Sequence, residues 1–269
     1  MIDIERQELA GIPCITLRDT RVAEAPVIIH YHGWTGGKGA LETPDQSQAR
    51  LASVGFLVVA PDCYEHGERA TDAWFRAQFN GWAFICQAMD QTRKEAAALY
   101  EAVMALPYSS THNPQVTGGS MGGLIAQMVF AENAEFASLV SVVGRSSFYQ
   151  ADEWSREAQS GSWCDDWCAE YATQSHPERF TDRPLLFIDG ALDTDCPAET
   201  NAETARLINE AGGQAEHFVD PDFGHGFSPP MREKFVDWLV EHGQPPLQTL
   251  TMTTTVGAPL GSPAEAQDL

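Results

Sequence analysis

Three residues of this chain sit in settings that suit acyl-transfer chemistry. They are Ser120 in Gly118-Gly119-Ser120-Met121-Gly122-Gly123, Asp193 in Gly190-Ala191-Leu192-Asp193, and His225 in Gly224-His225-Gly226-Phe227. A serine hydroxyl is a weak nucleophile near neutral pH. It needs a base to take its proton, and the base needs a carboxylate to orient it. Gln115-Val116-Thr117 before the serine suits the end of a strand, and Leu124 to Phe130 after it reads as a buried helix. Strand, glycine turn with a central serine, then helix is the setting of a G-x-S-x-G nucleophile elbow. Glycines at 118 and 122 would let strand and helix pass closely and hold the serine backbone in a strained conformation. The pattern is short enough for chance to supply, so its weight rests on what else converges on it.

The acid candidates follow the run Leu185-Leu186-Phe187-Ile188-Asp189. Asp193 lies just past this strand's carboxyl end, where functional groups of parallel sheets collect. Asp189, at the end of the strand, and Asp195, expected to face solvent, compete with it. Among the histidines, His225 follows the run Ala215 to Val219 and precedes the final helix, whereas His217 lies inside that strand and His242 beyond the helix. An oxyanion needs N–H donors. Met121, at the start of the elbow helix, would supply one, and Trp34 in the loop His32 to Gly39 the other. Trp34 and His32 are also expected to contact substrate, with the indole walling the acyl side.

These residues need a sheet to carry them. Ile2 to Glu5 and Ile12 to Leu17 suggest two short strands around Ala10-Gly11. Val27 to Tyr31, Phe56 to Ala60, Ser138 to Val143 and Leu185 to Asp189 are apolar runs of buried-strand type. Helices are expected up to Ala52 (capped by Thr43 or Asp45), over Trp82 to Leu106, over Asn201 to Ala211, and over Pro230 to His242. This alternation predicts an α/β fold with a mostly parallel sheet covered on both faces. The aromatic stretch 145–182 reads as a small helical insertion, a cap, before the acid-bearing strand. Residues 1–244 then form one domain, and the Thr-, Gly- and Ala-rich stretch 245–269 a disordered tail.

Sixteen basic against 38 acidic residues give a net charge of −22, a surface that repels nucleic acid and anionic membranes. So acid-rich a surface, with lysine only at 38, 94 and 234, suits high salt. No apolar run is long enough to span a bilayer, and the N-terminus lacks a basic segment followed by an apolar core, so the expected compartment is the cytoplasm. The six cysteines are irregularly spaced and are expected as free thiols. Cys164 and Cys168 lack a second Cys/His pair with zinc spacing, so no metal is expected.

Taken together, His32-Gly33-Trp34-Thr35-Gly36, Pro61-Asp62 with His66-Gly67-Glu68-Arg69, the elbow, Gly190 to Asp193 with Pro197, and Gly224-His225-Gly226-Phe227 resemble the α/β-hydrolase superfamily. Within it, they are most similar to small bacterial serine esterases of the dienelactone-hydrolase and prolyl-oligopeptidase-like branch. The resemblance covers about residues 20–242. It implies an eight-stranded α/β-hydrolase fold, a Ser120–His225–Asp193 triad, hydrolysis of carboxylic esters, and no cofactor; the short length of the insertion points to small or short-chain esters. Thioesters, lactones, small amides or transfer to another acceptor would use the same machinery, and a non-catalytic binding module is the reading from a different class. Dienelactone hydrolases proper use a cysteine nucleophile where this chain has Ser120, and the propeller domain of oligopeptidases has no room here.

Overall fold

The computed structural model describes residues 1–41, 46–71, 82–148 and 162–247. Eight strands form one sheet: β1 (Ile2–Leu9), β2 (Ile12–Asp19), β3 (Ala25–Tyr31), β4 (Leu57–Pro61), β5 (Ser109–Gly119), β6 (Ser138–Val142), β7 (Leu185–Gly190) and β8 (Ala215–Asp220). Their order is β1-β2-β4-β3-β5-β6-β7-β8. The β1–β2 hairpin turns at Ala10-Gly11, and β2 runs antiparallel to β4. From β4 across to β8 every pairing is parallel. The carboxyl ends of β3 to β8 therefore point the same way, and the loops that follow them gather along one edge.

Period-two alternation divides the core between the faces. Val27, Ile29 and Tyr31 of β3, Leu57 and Val59 of β4, and Leu185 and Phe187 of β7 face one side. Ile28, Val58, Ala60, Leu186 and Ile188 face the other. Three helices, α2 (Trp82–Met104), α3 (Met121–Glu132) and α5 (Ala198–Glu210), contribute to the first core, with Met89, Leu99, Ile125, Val129 and Ile208 among the buried residues. Opposite them, α1 (Gln46–Val54) and α6 (Pro229–Gly243) bury Leu51, Phe235, Trp238 and Leu239. Both sides of each central strand are thus apolar, which is why these strands read as continuous apolar runs.

Several elements extend beyond the sequence reading. β5 begins at Ser109 rather than near Gln115, and its register shifts beside β3 between Pro26 and Ile28, close to the left-handed Asn113. Of the insertion 145–182, residues 149–161 lie outside the described residues, as do Thr43 and Asp45, the expected caps of α1. The described part contains α4 (Ser162–Tyr171) and two short 3-10 turns. It packs on the helical layer: the Trp167 ring lies tilted against both Phe148 and Tyr171, and its indole N–H donates to Asp90 of α2 at 3.0 Å. Of the stretch 245–269, Leu247 donates its N–H to the carbonyl of Val54, and Pro246 lies against Gly55. Residues 248–269 lie outside the described residues.

Candidate active site

The elbow depends on two close approaches. A Cβ on Gly118 would lie 2.0 Å from the carbonyl oxygen of Gly122, and one on Gly122 would lie 2.1 Å from that of Tyr31. Only glycine lets α3 start against the ends of β3 and β5. Ser120 between them has φ 54° and ψ −120°, a conformation that side chains rarely adopt, and its N–H is pinned to the carbonyl of Val142 at 2.9 Å. The turn lifts Oγ above the sheet edge. Met121 opens α3, so its amide has no carbonyl one turn back to bond.

The loops after β7 and β8 are fastened to each other. Ala191 donates to the carbonyl of Asp220 and Leu192 to that of Phe223, while a Cβ on Gly190 would fall 2.3 Å from the Phe223 oxygen. This join brings Asp193 beneath His225. One carboxylate oxygen of Asp193 accepts the N–H groups of Asp195 and Cys196, both at 2.8 Å. The other lies 2.7 Å from His225 Nδ1. His225 Nε2 in turn lies 2.9 Å from Ser120 Oγ. Ser120, His225 and Asp193 form a continuous hydrogen-bonded line, with the Asp193 side chain fully buried and the imidazole 30% exposed toward the opening.

His225 pairs with neither competing acid. Asp189 is completely buried and pairs with His217 Nε2 at 2.9 Å and with the amide of Asn201; burial pushes its carboxyl up. Asp195 meets the acid loop through its main chain.

A cavity of about 520 Å³ opens over Ser120 and His225. Its apolar lining consists of Trp34, Ile85, Met121 and Leu124, and Arg145, Thr194, Asp195 and Cys196 line it as well. Gly33 brings the Trp34 loop against the elbow: a Cβ there would lie 3.4 Å from that of Ser120. The Trp34 ring stands edge-on to His66, at 5.0 Å between centroids.

His32 corrects the sequence reading. It does not line the cavity but is buried beside it, with Nε2 accepting the N–H of Cys63 at 3.0 Å and Nδ1 lying 2.8 Å from the Gly33 carbonyl. Because Nε2 must be bare to accept, Nδ1 carries the proton, and the ring is a neutral brace between the β3 and β4 loops. Burial pushes its pKa down to about 4.

A second brace fixes the far end of the Trp34 loop. The Lys38 ammonium, itself buried, bonds Asp62 at 2.6 Å and Glu68 at 2.7 Å, and the Lys38 N–H donates to Asp62. Gly67 has φ +57°, and a Cβ there would fall 2.1 Å from Asp62 Oδ1. The motif Pro61-Asp62 with His66-Gly67-Glu68-Arg69 thus positions the loop without touching the cavity.

Sequence reasoning missed Arg145 and Cys196 as cavity residues; each directly follows or flanks a loop whose strand had been identified, which was the available signal. The Cys196 thiol is pushed up to about 12 by burial. It lies with the Asp193 and His225 ligand atoms in a group within 4.8 Å of one another, the set that could hold a soft divalent ion. Both imidazole nitrogens of that set are engaged with Asp193 and Ser120.

Strand order, elbow and paired loops are those of the α/β-hydrolase fold. The chain belongs to the dienelactone hydrolase family, whose model matches residues 14–244, and is a carboxylesterase-like hydrolase. It is 26% identical over 223 residues to the esterase YjfP of Escherichia coli, covering 79% of this chain and 87% of that one. The crystal structure of TT1662 from Thermus thermophilus superposes with a TM-score of 0.73 at 20% identity, covering 90% of this chain and 98% of that one. The acylaminoacyl peptidase of Pyrococcus horikoshii superposes with a TM-score of 0.72 at 14% identity, covering 90% of this chain but only 42% of the peptidase. Among the described residues, no helix is long and apolar enough to cross a membrane.

Proposed function

We propose that this protein hydrolyses small carboxylic esters with Ser120 as nucleophile, His225 as general base and acid, and Asp193 as the orienting carboxylate. The observation that carries this reading is the hydrogen-bonded line from Ser120 Oγ to His225 Nε2 and from His225 Nδ1 to Asp193, at 2.9 and 2.7 Å. Ser120 Oγ attacks the ester carbonyl as its proton passes to Nε2, and the amides of Met121 and Trp34 receive the oxyanion. Collapse breaks the bond to the alkoxy group, which leaves as the alcohol with the proton from Nε2. Water then adds to the acyl-enzyme by the same route, giving the acid and regenerating Ser120. No cofactor enters these steps. A cavity of about 520 Å³ has room for a small-molecule ester, and the short insertion before β7 favours short-chain substrates. The small cap remains part of this proposal, as does a small-molecule substrate met in the cytoplasm.

Turnover of p-nitrophenyl acetate, butyrate and octanoate tests the reading. It predicts hydrolysis that favours the shorter esters and falls by about 10³-fold or more in Ser120→Ala. Equal slow rates for wild type and Ser120→Ala would refute it.

A further inference from the structure

The strained backbone of Ser120 is held by a line of contacts that ends at a buried side-chain amide. The Ser120 N–H donates to the carbonyl of Val142, the last residue of β6, at 2.9 Å. Val143 follows with φ 43°, a true outlier for a β-branched residue. Its N–H donates to the Ile188 carbonyl of β7 at 2.8 Å. Gly144 then packs on the elbow, where a Cβ would lie 2.9 Å from the Gly123 Cα. The turn that supports the nucleophile is thus itself strained. Such strain persists only where the surroundings enforce it, and it collects at functional sites.

Successive carbonyls of that turn are held from different elements. Gly144 accepts from the Asn201 amide at 2.8 Å, Arg145 from the Gln127 amide at 3.1 Å, and Ser146 from the Gln174 N–H at 2.9 Å. Gln127 belongs to the elbow helix and Gln174 to a 3-10 turn after α4, so of these donors Asn201 alone leads to β7. Asn201 lies in the first turn of α5 and is only 1% exposed. One of its N–H groups serves Gly144, and the other faces the Asp189 carboxylate, whose oxygens lie at 2.9 and 3.0 Å. Asp189 directly follows Ile188. These two residues therefore grip the turn from consecutive positions, one through its main chain and one through Asn201, just before the loop that carries Asp193 to His225. A fully buried carboxylate is costly unless it is paired and hydrogen-bonded. Asp189 is both, through His217 and Asn201, yet it takes no part in the acyl-transfer steps.

We infer that Asn201, oriented by Asp189, is a positioning residue for acyl transfer: it locks the turn after β6 to β7 and so sets Ser120 at its distance from the His225–Asp193 pair. Asn201 does not line the cavity, so its effect falls on the alignment of the reacting groups and not on substrate contact. This rests on the ester-hydrolase reading of the same site. Asn201→Leu removes both donors at similar volume, and Asn201→Ser leaves one. For p-nitrophenyl butyrate, kcat per site titrated with a fluorophosphonate should fall about 10²-fold in Asn201→Leu, with KM within about twofold of wild type, because a displacement of about 1 Å between reacting groups has that effect. The second-order rate constant for labelling of Ser120 should fall in parallel, and Asn201→Ser should lie between the other two proteins in both measurements. Counting only the sites that label removes any loss of folded protein from the comparison. If Asn201→Leu does not fold, Asn201→Ser carries the test, with an expected fall in kcat of about tenfold. A cluster that only stabilises the fold would lower the melting temperature and leave both per-site rates within about threefold of wild type, and that result would overturn the inference. So would a rise in KM that accounts for the whole loss of kcat/KM. If wild-type Ser120 is labelled but no ester is turned over, the ester-hydrolase reading fails, and the ratio of labelling rates alone decides the inference.

Discussion

His32 Nε2 accepts the main-chain N–H of Cys63 at 3.0 Å, which ties the loop beside Ser120 to the end of β4 through an imidazole that must stay neutral. Protonating Nε2 would remove this acceptor and place a charge in a ring that is only 4% exposed. The folded pKa, pushed down to about 4 chiefly by burial, lies below the ordinary 6.5, so the unfolded chain binds the proton more readily. Stability from this group is therefore complete above pH about 6.5 and is lost as pH falls toward 4. Burial lowers His66 as well, with the same sign. The free energy of unfolding in urea should drop by about 3 kcal/mol between pH 7 and pH 4 from His32, and this slope should be shallower in His32→Gln. An equal slope in the variant would remove His32 from the account.

The buried ammonium of Lys38 leads to a second expectation. Asp62 accepts from Lys38 Nζ, from the Lys38 N–H and from the Glu68 N–H. Asp62→Ala leaves Lys38 with only the exposed Glu68 as partner, and breaking a buried pair from one side costs about 3–5 kcal/mol. Urea denaturation should register that loss. Lys38→Met with Asp62→Leu together should recover part of it, since the desolvation penalty goes with both charges.

Asp193 and Asp189 separate by their partners. Asp193→Asn should reduce kcat/KM for p-nitrophenyl butyrate by about 10³–10⁴-fold while retaining a cooperative thermal transition, because the amide can offer His225 the wrong hydrogen bond. A fall of less than tenfold would detach Asp193 from the chemistry and return attention to Asp189.

Much of this architecture could be read in the chain, and the residues show why. The apolar runs at Val27, Phe56, Ser138 and Leu185 are strands buried on both faces, and the glycines of the elbow record a backbone contact that a Cβ would block. Asp193 was preferred over Asp189 by its place past the strand end, and the structure brings it to His225. The misreading of His32 has a physical cause. A histidine next to a glycine loop has the same local sequence whether its ring faces substrate or the neighbouring strand end. Only the position of Cys63, 31 residues away, distinguishes the two. Arg145 was hidden for a similar reason: it follows Val143, whose backbone is left-handed at φ 43°, and the support of that turn comes from distant Asn201, which donates to the Gly144 carbonyl and to Asp189. The insertion was legible as helical and aromatic, but not the side on which it packs, because that depends on Asp90 receiving the Trp167 indole.

The central claim, that Ser120 is the nucleophile of the cavity, is tested most directly by covalent labelling. Protein incubated with a fluorophosphonate ester and digested should yield one modified peptide with the added mass on Ser120, with loss of ester hydrolysis in step with labelling. Prior occupation of the site by a slow ester should protect it, and Ser120→Ala and His225→Ala should stay unlabelled. Labelling that reaches completion at another serine, or inactivation that leaves Ser120 unmodified, would contradict the account.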